Sequence, residues 1–433
     1  MFIQKIFVSL LLSTVSLASS ADSSQRIKEE SARFKQYPVS LTLESAIART
    51  LANNPQLFQF RFQQQSLAAQ RRAMAFSPPT QVHLELENFA GGGAFSGVDS
   101  TETTLALSSV IELGGKTRSR IALVDAKSDR LKYERQAATL DVLGALTSLY
   151  ISCLSTQESI KLAEEGVSLA KKMFDTVEQR SSRGAAPEAD VMRARAAIAG
   201  AKLRQEALRR KYRAQKVSLA SFWGQTKPNF STLDGSISEF DSSDSFASLY
   251  QRAQNSPSIE IFASEARLKN AEIKLAQAQS RADVGWRLGV RQLEETNDTV
   301  LVAGVSIPLF ASKRNRPAIA AARAERNAVE YKQTDAVLKL HSRLFHAFSQ
   351  REANIYAVEE IRTNVLPFLQ QGLKLTREAY ENGRYRYQDW IAAQQDLLAA
   401  KRHLIEAATA AQISQALIEQ LIAEPLQEGV LTH

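Results

Sequence analysis

Cysteine is almost missing. The single residue of that kind among 433 is Cys153, so an internal disulfide and a cysteine-based metal cluster are both excluded. Its place in mid-chain, inside a helical stretch, also excludes a lipid-modified cysteine at the N-terminus and marks it as a buried packing residue. Histidine is scarce too. The five, His83, His341, His346, His403 and His433, include no pair at the i, i+4 spacing of a helical zinc site, and they read as surface or packing residues. There is no nucleophile elbow, Ser-His-Asp spacing or phosphate-binding glycine loop. No catalytic residue, cofactor or metal site is expected, and energy for any transport must come from a partner. Past the N-terminus no run approaches 18 uninterrupted apolar residues, so no transmembrane helix is visible.

The first twenty-one residues supply Lys5, an apolar run from Ile6 to Leu17 and a small-residue exit, Ala18-Ser19-Ser20-Ala21, before Asp22. This is the three-part layout of a secretory signal with cleavage near Ala21. The rival reading is a membrane anchor, but a dozen apolar residues fall short of the roughly 20 that span a bilayer. The formal charge is +8, or +7 after removal of a signal whose one charge is Lys5. A basic chain can attract nucleic acid. Here Arg180, Arg183, Arg204 and Arg209-Arg210-Lys211 lie among Glu and Gln along helices without interleaved aromatics. That pattern reads as a solvated helix face, and no nucleic-acid partner is expected.

What is abundant is repetition. Leu51-Ala52-Asn53-Asn54-Pro55 and Ala253-Gln254-Asn255-Ser256-Pro257 open two similar halves, and Gly184 to Asp190 recurs as Gly383 to Asp389 at an offset of 199. A period near 200 residues points to duplication of a whole unit rather than a solenoid. The division expected is a signal at 1–21, an N-terminal extension at 22–41, a first repeat at 42–223, a connector at 224–245, a second repeat at 246–423 and a tail at 424–433. Each repeat reads as helix, two strands, very long helix, Gly turn and long helix. In the first copy these span 42–75, 81–89, 103–113, 117–181 and 187–222; in the second, 258–282, 284–293, 299–310, 317–381 and 387–423. A helix of about 65 residues is roughly 100 Å long and must pack along its length. The seams are Ile160, Ala163, Val167, Ala170, Phe174 and Val177, and in the last helix Trp390, Leu397, Leu404, Ala411 and Ile418 with Ala393, Ala400, Ala407, Ser414 and Leu421 beside them.

The strands carry the discriminating pattern. Val82, Leu84 and Leu86 alternate with His83, Glu85 and Glu87, and Trp286, Leu288 and Val290 with Arg287, Gly289 and Arg291. Thr103, Leu105, Leu107 and Ser109 and then Leu301, Ala303, Val305 and Ile307 continue the theme. Strands of about ten residues with one apolar and one polar face suit a transmembrane barrel, although a soluble amphipathic sheet would alternate the same way. On the barrel reading, Glu85 and Glu87 line a lumen rather than form a catalytic pair. Four strands cannot close a barrel in lipid, where every backbone amide needs a partner, so several chains must contribute.

Taken together, Leu43-Glu44-Ser45-Ala46-Ile47 followed by Asn54-Pro55, Glu85-Leu86-Glu87-Asn88-Phe89, Glu112-Leu113-Gly114-Gly115-Lys116, Ile307-Pro308-Leu309-Phe310 and the paired Gly-to-Asp turns resemble the TolC-like outer-membrane efflux protein family. The Glu-Asn-Phe strand and the Glu-Leu-Gly-Gly-Lys junction look most like its heavy-metal cation branch, the CzcC-like channels. The resemblance implies a mainly α chain with a small β part that trimerises. Four strands per chain would build a 12-stranded barrel in outer-membrane lipid, and the long coiled helices a hollow α-barrel across the periplasm. It further implies a periplasmic adaptor and an inner-membrane pump as partners. Gly184 and Gly383 match the family's helical-hairpin turns, and Asp190, Asp389 and Tyr380 match residues at its periplasmic entrance. Arg384 and Arg386 would pair with acids there and latch the tip. The sequence departs from the family at Ala392, where an acid is common, which weakens the expected cation ring. Asp190 and Asp389 would also serve simply as first-turn helix acids. Rival readings are drug efflux or protein secretion within the channel class, and a periplasmic adaptor or structural coiled coil outside it. An adaptor would carry a β-rich domain flanking one hairpin, not two strand pairs in a duplicated unit.

Overall fold

The computed structural model describes residues 40–89, 91–93, 97–240 and 244–424. The signal at 1–21, nearly all of the extension at 22–41 and the tail beyond Glu424 lie outside the described residues. The first half runs β1 (Ser40–Leu41), α1 (Leu43–Asn53), α2 (Pro55–Met74), β2 (Gln81–Glu87), β3 (Glu102–Ile111), α3 (Lys116–Ser182) and α4 (Glu188–Ser221). After β4 (Thr232–Leu233), the second half repeats that order: α5 (Phe246–Gln254), α6 (Pro257–Gln279), β5 (Val284–Leu293), β6 (Asp298–Ser306), α7 (Ala311–Glu360), a π-helical turn at Ile361–Val365, α8 (Leu366–Glu381) and α9 (Tyr387–Leu421).

The first opening helix, expected to be continuous over 42–75, is broken. A residue before proline is pushed out of the α region, and Asn54 sits at ψ 120°. Its side chain then starts the next helix, accepting from the amides of Gln56 (2.9 Å) and Leu57 (3.2 Å) and donating to the Phe222 carbonyl (2.8 Å). Ser256 before Pro257 is likewise extended, at ψ 152°, though its side chain makes no capping bond, and the second half opens with two helices from Phe246 rather than one from Ser258. The long second-half helix is also interrupted. Pro367 has no amide hydrogen for the Thr363 carbonyl, and the turn before it widens, with Leu366 N–H reaching the Ile361 carbonyl five residues back. By contrast α3 runs unbroken for 67 residues, roughly 100 Å.

The helices pack lengthwise, α3 against α4, α6 and α9, and α7 against α6 and α9. The predicted seams lie on that packed side. Val167, Ala170, Val177, Trp390, Leu397, Ala400, Ala411, Ser414 and Ile418 are buried, while Ile160, Ala163, Phe174 and Leu404 are half-buried. One window of α3 is long and apolar enough to cross a membrane, but half of it is buried inside the protein. The accessible surface is 28063 Å², where about 16,000 Å² is typical of a compact monomer of this mass. Much surface is therefore left for other chains.

The segment expected as a plain connector is structural. Thr232–Leu233 of β4 pairs in parallel with Ser40–Leu41 of β1. Phe230, Leu233 and Ile237 join Leu143, Leu146, Tyr150, Cys153 and Trp223 in the largest core cluster. Tyr150 Oη donates to the carbonyls of Leu41 (2.7 Å) and Asp234 (2.5 Å), and the Gln157 amide both donates to and accepts from the Leu233 backbone at 3.1 Å. The sequence signal for these two-residue strands is too short for periodicity to register. Burial pushes the Cys153 thiol up to about 12, so it is an inert packing residue.

Strands β2-β3-β5-β6 form one antiparallel sheet in that order. Its central pairing, β3 with β5, joins the two halves from Glu102↔Leu293 to Ile111↔Val284. The junction below it explains the Glu-Leu-Gly-Gly-Lys motif. Gly114 and Gly115 both take positive φ (+80° and +71°), which turns the strand into α3 at little steric cost. Lys116 Nζ pairs with Asp283 at 2.6 Å, and Arg120 grips Glu112 through both nitrogens (2.5 and 2.8 Å), holding that carboxyl below its usual range.

Candidate functional site

The sheet presents two unlike faces. Val82, Leu84, Leu86, Leu105, Leu107, Leu288, Val290, Leu301 and Val305 share one of them and are 42–81% exposed. An apolar face of that extent left open has to meet another apolar phase. The opposite face holds an ion-paired ladder. Arg287 Nη2 lies 3.0 Å from Glu85 Oε2, and Arg291 reaches Glu87 (2.9 Å), Glu102 (2.6 Å) and the Thr104 hydroxyl (2.9 Å). His83 and Ser108 are hydrogen-bonded at 2.7 Å. The expected alternation fails in the middle of β6, where Val300 and Val302 share the polar face with Arg291 and Gly289, while Asp298 and Ser306 keep that face polar at the strand ends. The outer edges of β2 and β6 have no strand partner among the described residues.

At the far end of the helices lie the two turns. Gly184 and Gly383 take φ +72° and +73°, the left-handed geometry that closes a helix C-terminus. In both, the glycine N–H bonds the carbonyl three residues back and the next N–H bonds the one five back: Gly184 to Ser181 and Ala185 to Arg180, Gly383 to Tyr380 and Arg384 to Ala379. Beneath the turns, Met173, Val177, Val191, Ala194, Tyr380, Tyr387 and Trp390 form one cluster. The structure thus brings the two Gly-to-Asp turns, some 199 residues apart in sequence, to one tip.

The side chains there meet one expectation, the helix-start role of Asp389, and depart from others. Tyr380 is only 4% exposed and packs against Trp390 with ring centres 5.1 Å apart and planes tilted by 34°, so it is a core residue of the tip. Asp389 accepts the Arg386 N–H at 2.9 Å, which is the helix-start role, while Asp190 lies 3.3 Å from Arg193. Arg384 and Arg386 are exposed, and neither forms an ion pair with an acid of this chain among the described residues. The latching cation is one that sequence reasoning missed. Arg180 Nη1 donates to the carbonyls of Tyr380 (2.8 Å) and Glu381 (2.5 Å), Nη2 donates to that of Ala185 (3.3 Å), and the guanidinium lies 4.9 Å from the centre of the Tyr380 ring. Its position one helical turn before Gly184 was available as a signal; its partners, 200 residues on, were not.

This tip is incompletely satisfied. Arg180 Nε and the hydroxyls of Tyr380 and Tyr387 are buried without a hydrogen-bond partner among the described residues, at a cost of roughly 1–3 kcal/mol each. Burial raises both phenols above their ordinary range, and the negative charge of Asp190 adds to the rise at each.

With this geometry in place, three comparisons bear on it. The family model described as outer membrane efflux protein matches residues 46–225 and 249–424. The cobalt-zinc-cadmium resistance protein CzcC of Cupriavidus metallidurans is 24% identical over 303 residues, which cover 70% of this chain and 72% of that protein. The pyoverdine export outer membrane protein OpmQ of Pseudomonas putida is 22% identical over 325 residues, 71% of this chain and 66% of that protein. Among solved structures, one of CusC, reported for conformational changes accompanying folding and transmembrane channel formation, superimposes with a TM-score of 0.72 at 16% identity, over 89% of this chain and 92% of that one.

Proposed function

The chain belongs to the outer membrane efflux protein family and is an efflux channel subunit of the outer membrane, and from that premise we propose that it is a homotrimeric exit duct for heavy-metal cations, served by a periplasmic adaptor and an inner-membrane pump. One observation carries the proposal of a closed trimeric duct: a four-stranded sheet with an open apolar face and two unpaired edges stands at the end of helices roughly 100 Å long. In lipid those edges must pair. Three copies supply twelve strands, within the known range of barrels. Exposed apolar side chains on α2, α7 and α8, among them Phe62, Leu338, Phe345 and Phe368, are suited to contacts between copies. The apolar sheet face would then meet lipid and the ion-paired face water.

Heavy-metal cargo is supported by the similarity to a cobalt-zinc-cadmium resistance protein, and by that alone. Export of an organic ligand is the second reading, favoured by the similarity to a pyoverdine exporter. We assign the periplasmic entrance to the tip holding Gly184, Asp190, Tyr380, Gly383, Arg384, Arg386 and Asp389. Its three buried groups without hydrogen-bond partners lower the cost of rearranging it, and three copies of Asp389 would ring the axis with negative charge.

The test is to fractionate the expressed protein, run it unboiled on a gel and measure planar-bilayer conductance. A heat-sensitive trimer from the outer membrane that conducts ions supports the reading; a soluble periplasmic monomer without conductance overturns it. Cargo is tested in a metal-sensitive host carrying the adaptor and pump. Restored zinc or cadmium tolerance supports the metal reading, and restored siderophore export without it selects the second. Asp389→Ala should raise single-channel conductance or cation leak, and unchanged conductance and selectivity would remove Asp389 from the entrance.

A further inference from the structure

The ladder on the polar face of the sheet is more than a set of cross-strand pairs. Arg287 of β5 reaches Glu85 of β2 across the whole width of β3, a distance of about 10 Å between the two backbones. Arg291 sits in the same row as Glu85 and Thr104 but turns toward the next row, where Glu87 and Glu102 lie. Cross-strand pairs at partly exposed sites contribute only about 0.2–1 kcal/mol each, so stability is a weak reason for arginine here. Glutamine would also donate hydrogen bonds to these carboxylates. What arginine alone adds is permanent positive charge.

That charge is isolated. No lysine, arginine or histidine occurs from Leu84 to Gly115 or from Gln292 to Ser312, although the chain as a whole carries +8. On this face Glu85, Glu87, Glu102 and, opposite Leu293 at the strand end, Asp298 stand against Arg287 and Arg291, leaving two negative charges per chain and six in a trimer. Removing either arginine raises these to three and nine. Resting on the reading that this face lines the lumen, we propose that Arg287 and Arg291 determine the ion selectivity of the membrane end of the channel. They offset half of the strand carboxylates so that the exit is less cation-preferring than those carboxylates alone would make it. A wall of fixed charge set in a low-dielectric surround concentrates the opposite ion in the pore, which is how a change of three charges becomes a change in permeability.

The experiment is the reversal potential of the purified full-length channel in planar bilayers under a potassium chloride gradient. Arg291→Gln and Arg287→Gln should each raise the cation-to-anion permeability ratio roughly twofold or more, and the double substitution should raise it further. Arg291→Lys, which keeps the charge and loses the fork, should stay near the wild-type ratio. Glu85→Gln should move the ratio the opposite way, and it carries the same test should a glutamine variant fail to assemble. A structural role would leave all of these ratios alone. Unchanged reversal potentials in conducting variants overturn the proposal and leave the channel reading intact. A wild-type protein that opens no pore overturns the channel reading and the proposal with it.

Discussion

At one tip the chain turns on Gly184 and re-enters a helix through Ala185-Ala186-Pro187; at the other it turns on Gly383 and re-enters through Arg384-Tyr385-Arg386. The backbones agree in φ and in both closing hydrogen bonds. Six residues on, an aspartate stands at the third position of each new helix, yet the two do different things. Asp389 accepts the N–H of Arg386, the residue that starts its helix. At the first tip that residue is Pro187, which has no N–H, and Asp190 turns instead to Arg193. The tips also differ in what lies beneath them. The second brings Tyr380, Tyr387 and Trp390 to the shared cluster, and the first brings aliphatic and small residues together with Arg180, the cation that reaches across. Equivalent backbones thus need not imply equivalent sites: one tip supplies the clasp and the other is clasped.

The largest expected effect tests the sameness. Gly184→Val and Gly383→Val should each cost roughly 1–3 kcal/mol, because a β-branched residue at positive φ is strained. Space is not the obstacle, since a Cβ at Gly184 meets nothing within 4 Å and one at Gly383 meets Arg180 Nη2 at 3.7 Å. Thermal unfolding of the two variants should therefore shift alike, and a large difference would break the backbone equivalence. Arg180→Met should follow at about 1–2 kcal/mol, keeping the aliphatic stem and losing the bonds to the Tyr380 and Glu381 carbonyls. Hydrogen exchange should quicken in the last turn of α8 more than at the Gly184 turn; equal or absent quickening would show that Arg180 clasps nothing.

A pH prediction separates the tips by composition. Burial raises the phenols of Tyr380 and Tyr387, so the stability they contribute is fully present below the unfolded value near 10. It is lost as pH rises through their higher folded values. Alkaline loosening should therefore centre on the second tip, read by phenolate absorbance, and Tyr387→Phe should lessen it. Asp389→Ala should cost roughly 0.5–1 kcal/mol through the lost capping bond, and Asp190→Ala less, because its partner Arg193 is 57% exposed and the 3.3 Å pair is screened by solvent. Smallest of all, Pro187→Ala should stay within about 0.5 kcal/mol while returning an N–H that Asp190 can accept. Chemical shifts of the Asp190 carboxylate that do not move would show that the missing N–H is not what separates the two aspartates.

The contrast between Asp190 and Asp389 was readable in the chain, since Pro187 and Arg386 are both in plain sight. The break at Asn54-Pro55 was readable too, although a long run rich in Ala, Gln and Arg hides it behind a continuous helical pattern. Strands β2 and β5 were legible because alternation over seven to ten residues is a strong signal; β1 and β4, at two residues each, offer no period to detect. In the middle of β6 the alternation itself was absent, and Val300 and Val302 gave no sign of which face they joined.

Local sterics and solvation act through neighbours in the chain, and they suffice to place the long helices, the alternating strands and the left-handed glycines. The pairing of Arg180 with Tyr380 and of Arg287 with Glu85 belongs to another order of information. Each joins residues about 200 positions apart, and whether a cation meets a carbonyl, a carboxylate or solvent depends on distances that exist only once the two halves have packed together.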